Sequence, residues 1–188
     1  MMHIPEDITM IVLDMDGTIY RKPRMVRHML RKQWRHLPSL IAERRWRMKQ
    51  RKALRERREL PSMPVGERWY SQSYLPAMVD IIRKHYTAAE WVRPLIAECK
   101  QRGIKVVVLS DYEAVEDKLK ALGLETELFD AIVASGDHGT IKPDVRLGTI
   151  LAEKLHAAIS WQHVLFIGDR DDTEGELARA LGAQFLKV

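Results

Sequence analysis

The sequence predicts an α/β fold, a Rossmann-like parallel sheet with helices on both faces, carrying one inserted all-α segment. Three observations predict it. Four short apolar runs rich in β-branched residues, at 10–13, 105–109, 131–134 and 164–167, have strand rather than helix length. Segments with helical spacing alternate with these runs, and near-continuous apolar strands alternating with helices imply a parallel sheet buried on both faces, joined by right-handed crossovers. The stretch 21–87, by contrast, contains no strand-like run and reads as several helices.

Taken in order, the first strand, 10–13, runs into Asp14-Met15-Asp16-Gly17-Thr18. In the insert, Val26, Leu30, Trp34 and Leu37 repeat at helical spacing and give a first helix an apolar face. Pro38-Ser39 marks a break, with Ser39 as the expected N-cap of the next helix. That helix, 40–60, has a thin apolar stripe through Ile41, Met48 and Leu54, and nine Arg and Lys between Arg44 and Arg58 that should form one broad solvated basic face. Pro61, Pro64 and Gly66 close it, and Trp69, Tyr70, Tyr74, Leu75, Met78, Ile81 and Ile82 supply a further helix. Beyond the insert, helices are expected at 88–102, 113–122, 145–156 and 173–181, three of them ended by Gly103, Gly123 and Gly182. A weaker fifth strand is expected at 184–188.

A chain of 188 residues that is 46% hydrophobic suits one compact core with one subdomain. The division expected is a core of 1–20 and 88–188 with a helical insert at 21–87. The net charge of +5 conceals an asymmetry. Residues 21–58 hold 16 of the 31 Lys and Arg and two of the 26 acids, Glu43 and Glu56, so this segment carries +14 and the remainder −9. The single cysteine, Cys99, excludes an intramolecular disulfide framework and fits a reducing compartment. No apolar run approaches the ~20 residues that span a bilayer, and the acidic start, Met1 to Asp7, lacks the pattern of a secretory signal. A cytoplasmic location with no membrane partner is the expectation.

The strongest polar clusters fall where the predicted strands end: Asp14 to Thr18, Ser110-Asp111, and Gly168-Asp169-Arg170-Asp171-Asp172-Thr173-Glu174. In an open parallel sheet, ligands bind at this edge. Carboxylates gathered there repel one another unless a cation neutralises them, and oxygen-only ligands suit a hard ion, above all Mg²⁺. Two carboxylates one residue apart can divide their work, one attacking and the other handling protons, because Gly17 lets the chain turn at once. Ser110 and Lys142, from neighbouring loops, supply a hydroxyl donor and a fixed positive charge for an anionic substrate.

On these residues the sequence resembles the haloacid dehalogenase superfamily of phosphohydrolases. Its four motifs appear in order: Asp14 to Thr18, Ser110 after a strand, Lys142 before Pro143, and Gly168-Asp169 through Glu174. The resemblance implies a small helical cap at the insert and a Mg²⁺-dependent phosphomonoester hydrolase, with a phosphomutase as a variant. It implies Asp14 as nucleophile forming an aspartyl-phosphate and Asp16 as general acid and then base. It places Mg²⁺ on Asp14, the backbone carbonyl of Asp16 and Asp169, with Glu174 or its competitor Asp172 in support. It assigns the substrate phosphate to Thr18, Ser110, Asp111 and Lys142. Position 174 is Glu where relatives often carry Asp, and Asp111 stands where Asn is frequent, which leaves the partners of the lysine open. The substrate class implied is a small phosphorylated metabolite.

A second function class is RNA or acidic-partner binding, with the Lys and Arg of the basic helix interleaved with Trp34 and Trp46, and a weak or vestigial phosphatase site. A charge run on a helix is more often a solvated face, and that reading is favoured.

Overall fold

The computed structural model describes residues 3–188; Met1 and Met2, part of the stretch read against a secretory signal, lie outside the described residues. Strands β1 (Met10–Asp14), β2 (Lys105–Ser110), β3 (Ala131–Ala134), β4 (Val164–Gly168) and β5 (Gln184–Lys187) form one parallel sheet in the order β3-β2-β1-β4-β5. All five predicted strands form. Register pairs Asp14 with Leu109 and Leu13 with Ile167, so the ends of β1, β2 and β4 lie side by side.

Alternation along each strand divides the core into two layers. Ile11, Leu13, Val106, Val108, Leu165 and Ile167 face one side of the sheet, and Met10, Val12, Val107, Leu109, Val164 and Phe166 the other. The first face is covered by α5 (Val92–Gln101) and α6 (Val115–Ala121), the second by α7 (Arg146–Leu155) and α8 (Glu176–Leu181). A π-helical turn, Asp171–Gly175, joins β4 to α8. Helices on both faces of a parallel sheet make this a Rossmann-like α/β fold, as the sequence predicts.

Between β1 and α5 the chain is helical: α1 (Met25–Lys32), a 3₁₀ turn (Trp34–His36), α2 (Leu37–Arg55), then α3 (Glu67–Trp69), which continues through a π-helical turn (Tyr70–Tyr74) into α4 (Leu75–His85). Three details of this segment differ from expectation. Helix α2 begins at Leu37 and takes Pro38 into its first turn, so Ser39 is not its cap; proline's fixed φ and missing N–H suit a first turn. Val26, Leu30, Trp34 and Leu37 face outward, Trp34 being 66% exposed, while Met25 and Met29 join the core with Tyr74 and Met78. Helix α2 also turns polar residues inward: Glu43, Arg47 and Gln50 are buried beside Trp46 and Ala53, whereas Ile41 and Met48 are exposed. Its basic face is therefore only partly solvated. No helix among the described residues is long and apolar enough to cross a membrane.

Candidate active site

The carboxyl ends of β1, β2 and β4 and the loop after β3 converge on Asp14. Asp14 is the last residue of β1, and both of its carboxylate oxygens are occupied: Lys142 Nζ donates to Oδ1 at 2.5 Å, and the Thr18 hydroxyl donates to Oδ2 at 2.9 Å. Lys142 is 1% exposed and is flanked on its other side by Glu174 Oε1 at 2.6 Å. Burial opposes its charge, but Asp14, Glu174 and Asp111 outweigh burial and hold the ammonium well above its ordinary range. Burial pushes the Asp14 carboxyl up, with Glu174 adding to it and Lys142 pulling the other way.

Asp16 points to a different set of donors. Tyr20 OH reaches Oδ1 at 2.5 Å, while Lys118 Nζ and the Ser110 hydroxyl reach Oδ2 at 2.9 Å and 3.2 Å. Burial would raise this carboxyl, but Lys118, Lys22 and Tyr20 together hold it well below the usual carboxylate range. The Asp16 backbone carbonyl faces the Lys22 ammonium. Gly17 has φ of +120°, and a methyl group there would collide with the Asp169 carboxylate. A residue with no side chain is therefore what lets Asp169 close against the β1 loop.

The chain thus brings together Asp14, Asp16, Thr18, Ser110, Asp111, Lys142 and Glu174 through direct contacts, with Asp169 against Gly17. Thr18 bonds to the Asp14 carboxylate rather than standing free. Asp111, the unusual residue after Ser110, accepts from the Lys142 backbone N–H at 2.9 Å and from Arg51 at 3.0 Å. Glu174 is buried against Lys142 and the Thr173 hydroxyl, whereas Asp172 is half-exposed and engaged by Arg170 at 2.7 Å and by Arg55.

Three groups escaped the reading of the sequence. Lys118 is fully buried on α6; its signal is its place three residues after Val115, on the helix's apolar face, where a charge needs a partner. Tyr20 and Lys22, just past the Asp14 to Thr18 motif, return to Asp16 through the turn. Arg47, 3% exposed, donates to the Asp111 carbonyl at 2.6 Å, to Glu43 at 2.7 Å and to Tyr70 OH at 2.5 Å, and its guanidinium stacks 3.9 Å from the Tyr112 ring centroid. One turn on, Arg51 meets Asp111, and a further turn on, Arg55 meets Asp172 and Glu176. Trp46 is buried, with its indole N–H on the Pro61 carbonyl, so of the two tryptophans placed for base stacking only Trp34 is exposed.

The donors expected for a cation, the Asp14 and Asp169 carboxylates and the Asp16 carbonyl, are oxygen only. Burial raises Asp169 as it does Asp14, with Lys22 drawing both down. A hard divalent ion would supply positive charge to this pair of carboxylates. No cluster of three or more His, Cys, Asp or Glu side chains with metal-holding geometry occurs among the described residues. Two carboxylates and one carbonyl, with the remaining positions left to water and phosphate, fit Mg²⁺, which is bound by one or two carboxylates and keeps several waters.

Comparison with known proteins follows the same lines. A family model described as haloacid dehalogenase-like hydrolase matches residues 8–182. A cattle protein, haloacid dehalogenase-like hydrolase domain-containing protein 3, is 31% identical over 121 residues, 63% of this chain and 44% of that protein, so the chain spans less than half of that relative. Among solved structures, CbbY from Rhodobacter sphaeroides in complex with phosphate superposes with a TM-score of 0.69 at 18% identity, covering 95% of this chain and 84% of that one. The HAD-hydrolase YfnB from Bacillus subtilis bound to magnesium gives 0.67 at 16% identity, covering 96% and 86%. At these identities the structural likeness speaks for the fold.

Proposed function

Because the chain belongs to the haloacid dehalogenase-like hydrolase family, we propose that it is a Mg²⁺-dependent phosphatase that hydrolyses a phosphate monoester through an aspartyl-phosphate on Asp14. The observation that carries this reading is the fixing of Asp14 by Thr18 on one oxygen and by Lys142 on the other. A carboxylate held at both oxygens loses the freedom that would have to be spent at the moment of attack. The segment 21–87 acts as the cap over a core of 1–20 and 88–188, and a small phosphorylated metabolite is the class of substrate. Cys99, the lone and buried thiol, fits a cytoplasmic enzyme.

In the first half of the reaction Asp14 attacks phosphorus and the bond to the leaving oxygen breaks. The leaving oxygen takes a proton at Asp16. Tyr20 OH at 2.5 Å and the Lys118 ammonium at 2.9 Å hold the Asp16 carboxyl in place for that transfer. In the second half a water loses its proton to Asp16 and attacks the phosphorus of the aspartyl-phosphate, releasing inorganic phosphate and restoring Asp14. Lys142 and Ser110 hold the phosphoryl oxygens, and Glu174 and Asp111 keep Lys142 in place, one through its ammonium and one through its backbone N–H. Asp14, the Asp16 carbonyl and Asp169 would hold Mg²⁺, which when bound offsets the negative charge that carboxylate and phosphate bring together.

Support comes from the family match, from the order of strand ends that assembles these side chains, and from solved relatives of the fold that hold phosphate or magnesium. The test is phosphate release from p-nitrophenyl phosphate with Mg²⁺. Turnover should stop in EDTA and fall roughly a thousandfold or more in Asp14→Asn. A folded protein that turns over no member of a broad phosphate panel in the presence of Mg²⁺ overturns the reading.

A further inference from the structure

Resting on the reading of this site as a phosphatase, we propose that its substrate is the phosphate monoester of an amphiphile, with the phosphate on Asp14 and an apolar chain lying between α1 and α2. The carrying observation is a cavity of about 550 Å³ that starts at Asp16 and Lys22 and runs between these two helices. That volume falls within the roughly 300–1,000 Å³ of pockets that enclose small organic ligands.

The chemistry of the walls is what selects an apolar body. Beyond Asp16 and Lys22 the cavity is lined by Met25, Met29, Leu40 and Met78, and its rim by Leu30, Ile41 and Met48. Methionine side chains adapt to a flexible chain of no fixed shape. Of the charged residues that also line it, Arg47 pairs with Glu43 at 2.7 Å and Arg51 with Asp111 at 3.0 Å inside the protein, while Arg170 pairs with Asp172 at 2.7 Å nearer the surface. A hydroxyl buried without a partner against the methionine and leucine walls carries a desolvation cost. An alkyl chain carries no such cost.

The surface around the mouth points the same way. Of seven large hydrophobic side chains exposed among the described residues, six lie between Val26 and Met48. Four of these six, Val26, Leu30, Ile41 and Met48, line the cavity, and exposed apolar side chains gathered at an opening mark a binding surface. Arg44, between Ile41 and Met48 on the same face of α2, has no ion-pair partner among the described residues and leaves the rim positive. Hydrolysis there adds the OH of water to phosphorus and its proton to the leaving alkoxide, releasing a long-chain alcohol and inorganic phosphate.

The test measures kcat/KM for monoalkyl phosphates from ethyl to decyl, below their micelle-forming concentrations, beside a hexose phosphate, for wild type and for Met48→Glu and Ile41→Glu. In the wild type kcat/KM should rise about threefold to fourfold per methylene buried until the cavity is filled, and the longer esters should exceed the hexose phosphate. The two variants, both at exposed positions, should flatten that rise. Hydrolysis of ethyl phosphate with no rise along the series, or with the hexose phosphate preferred, overturns the amphiphile proposal and leaves the phosphatase reading standing. No hydrolysis of any ester, ethyl phosphate included, overturns both.

Discussion

Arg51 on α2 donates to Asp111 Oδ2 at 3.0 Å, while Oδ1 of the same carboxylate accepts the backbone N–H of Lys142 at 2.9 Å. One side chain thus ties the helical segment, the end of β2 and the loop of Lys142 together. Asp111 stands directly after Ser110, so any slackening here reaches the residues proposed to hold phosphate.

This relationship gives the protein a pH dependence on its acid side. Burial would raise Asp111, but Lys142 and Arg51 outweigh it and lower the carboxyl below its ordinary value. A carboxyl lowered in the folded state contributes stability that is present above its unfolded value of about 4 and is lost as pH falls through the folded value. Asp111→Asn should therefore cost about 1–2 kcal/mol at neutral pH, with the gap to wild type closing as pH drops below about 4. Urea unfolding across pH measures it, and a gap independent of pH would contradict it.

Arg47 is the inner anchor of α2, buried with Glu43 at 4% side-chain exposure each. Arg47→Ala leaves the Glu43 carboxylate buried without its cation, a change expected to cost about 3–5 kcal/mol. Arg47→Lys should recover little, because a single ammonium cannot reach the Asp111 carbonyl, Glu43 and Tyr70 together as the guanidinium does. Denaturant midpoints for both variants test this, and a loss under about 1 kcal/mol in Arg47→Ala would count against it.

How much of this was legible beforehand differs from element to element. The strands and the alternation that buries both faces of the sheet follow from short β-branched runs, and the catalytic candidates follow from their place at strand ends. The helices of the 21–87 segment were less legible because amphipathic spacing says that a stripe exists without saying which neighbour takes it. Val26, Leu30 and Trp34 form the cleaner stripe, yet Met25 and Met29 are buried, because the π-helical turn and α4 present Tyr74 and Met78 to that side. Arg47 reads as one of nine basic residues until the fold supplies Glu43 beside it and Asp111 opposite. Lys118 was hidden for a similar reason: its partner Asp16 lies 102 residues away in the chain.

Lys118 acts as a positioning residue through Asp16. Lys118→Met removes the ammonium from Oδ2 while Tyr20 and Ser110 remain. We expect kcat on p-nitrophenyl phosphate to fall about a hundredfold, with KM little altered and the pH profile of kcat displaced, since burial would then raise Asp16 with less opposition. An unchanged pH profile would remove Lys118 from the account.

Cys99 lies in the core on α5, and burial pushes its thiol up to about 11. The thiolate is the reactive form. Folded protein at pH 8 should react with a disulfide reagent far more slowly than protein in denaturant, the rate following unfolding. Rapid native labelling would show that α5 opens more readily than its packing implies.

The central claim is that phosphate passes through Asp14. Acid quench during turnover with Mg²⁺, followed by borohydride reduction, converts an aspartyl-phosphate to homoserine, and fragment masses of the peptide holding Asp14 and Asp16 locate it. The account predicts homoserine at position 14 in the wild type and none in Asp14→Asn. Steady phosphate release with an unmodified Asp14, or homoserine at position 16 instead, would contradict it.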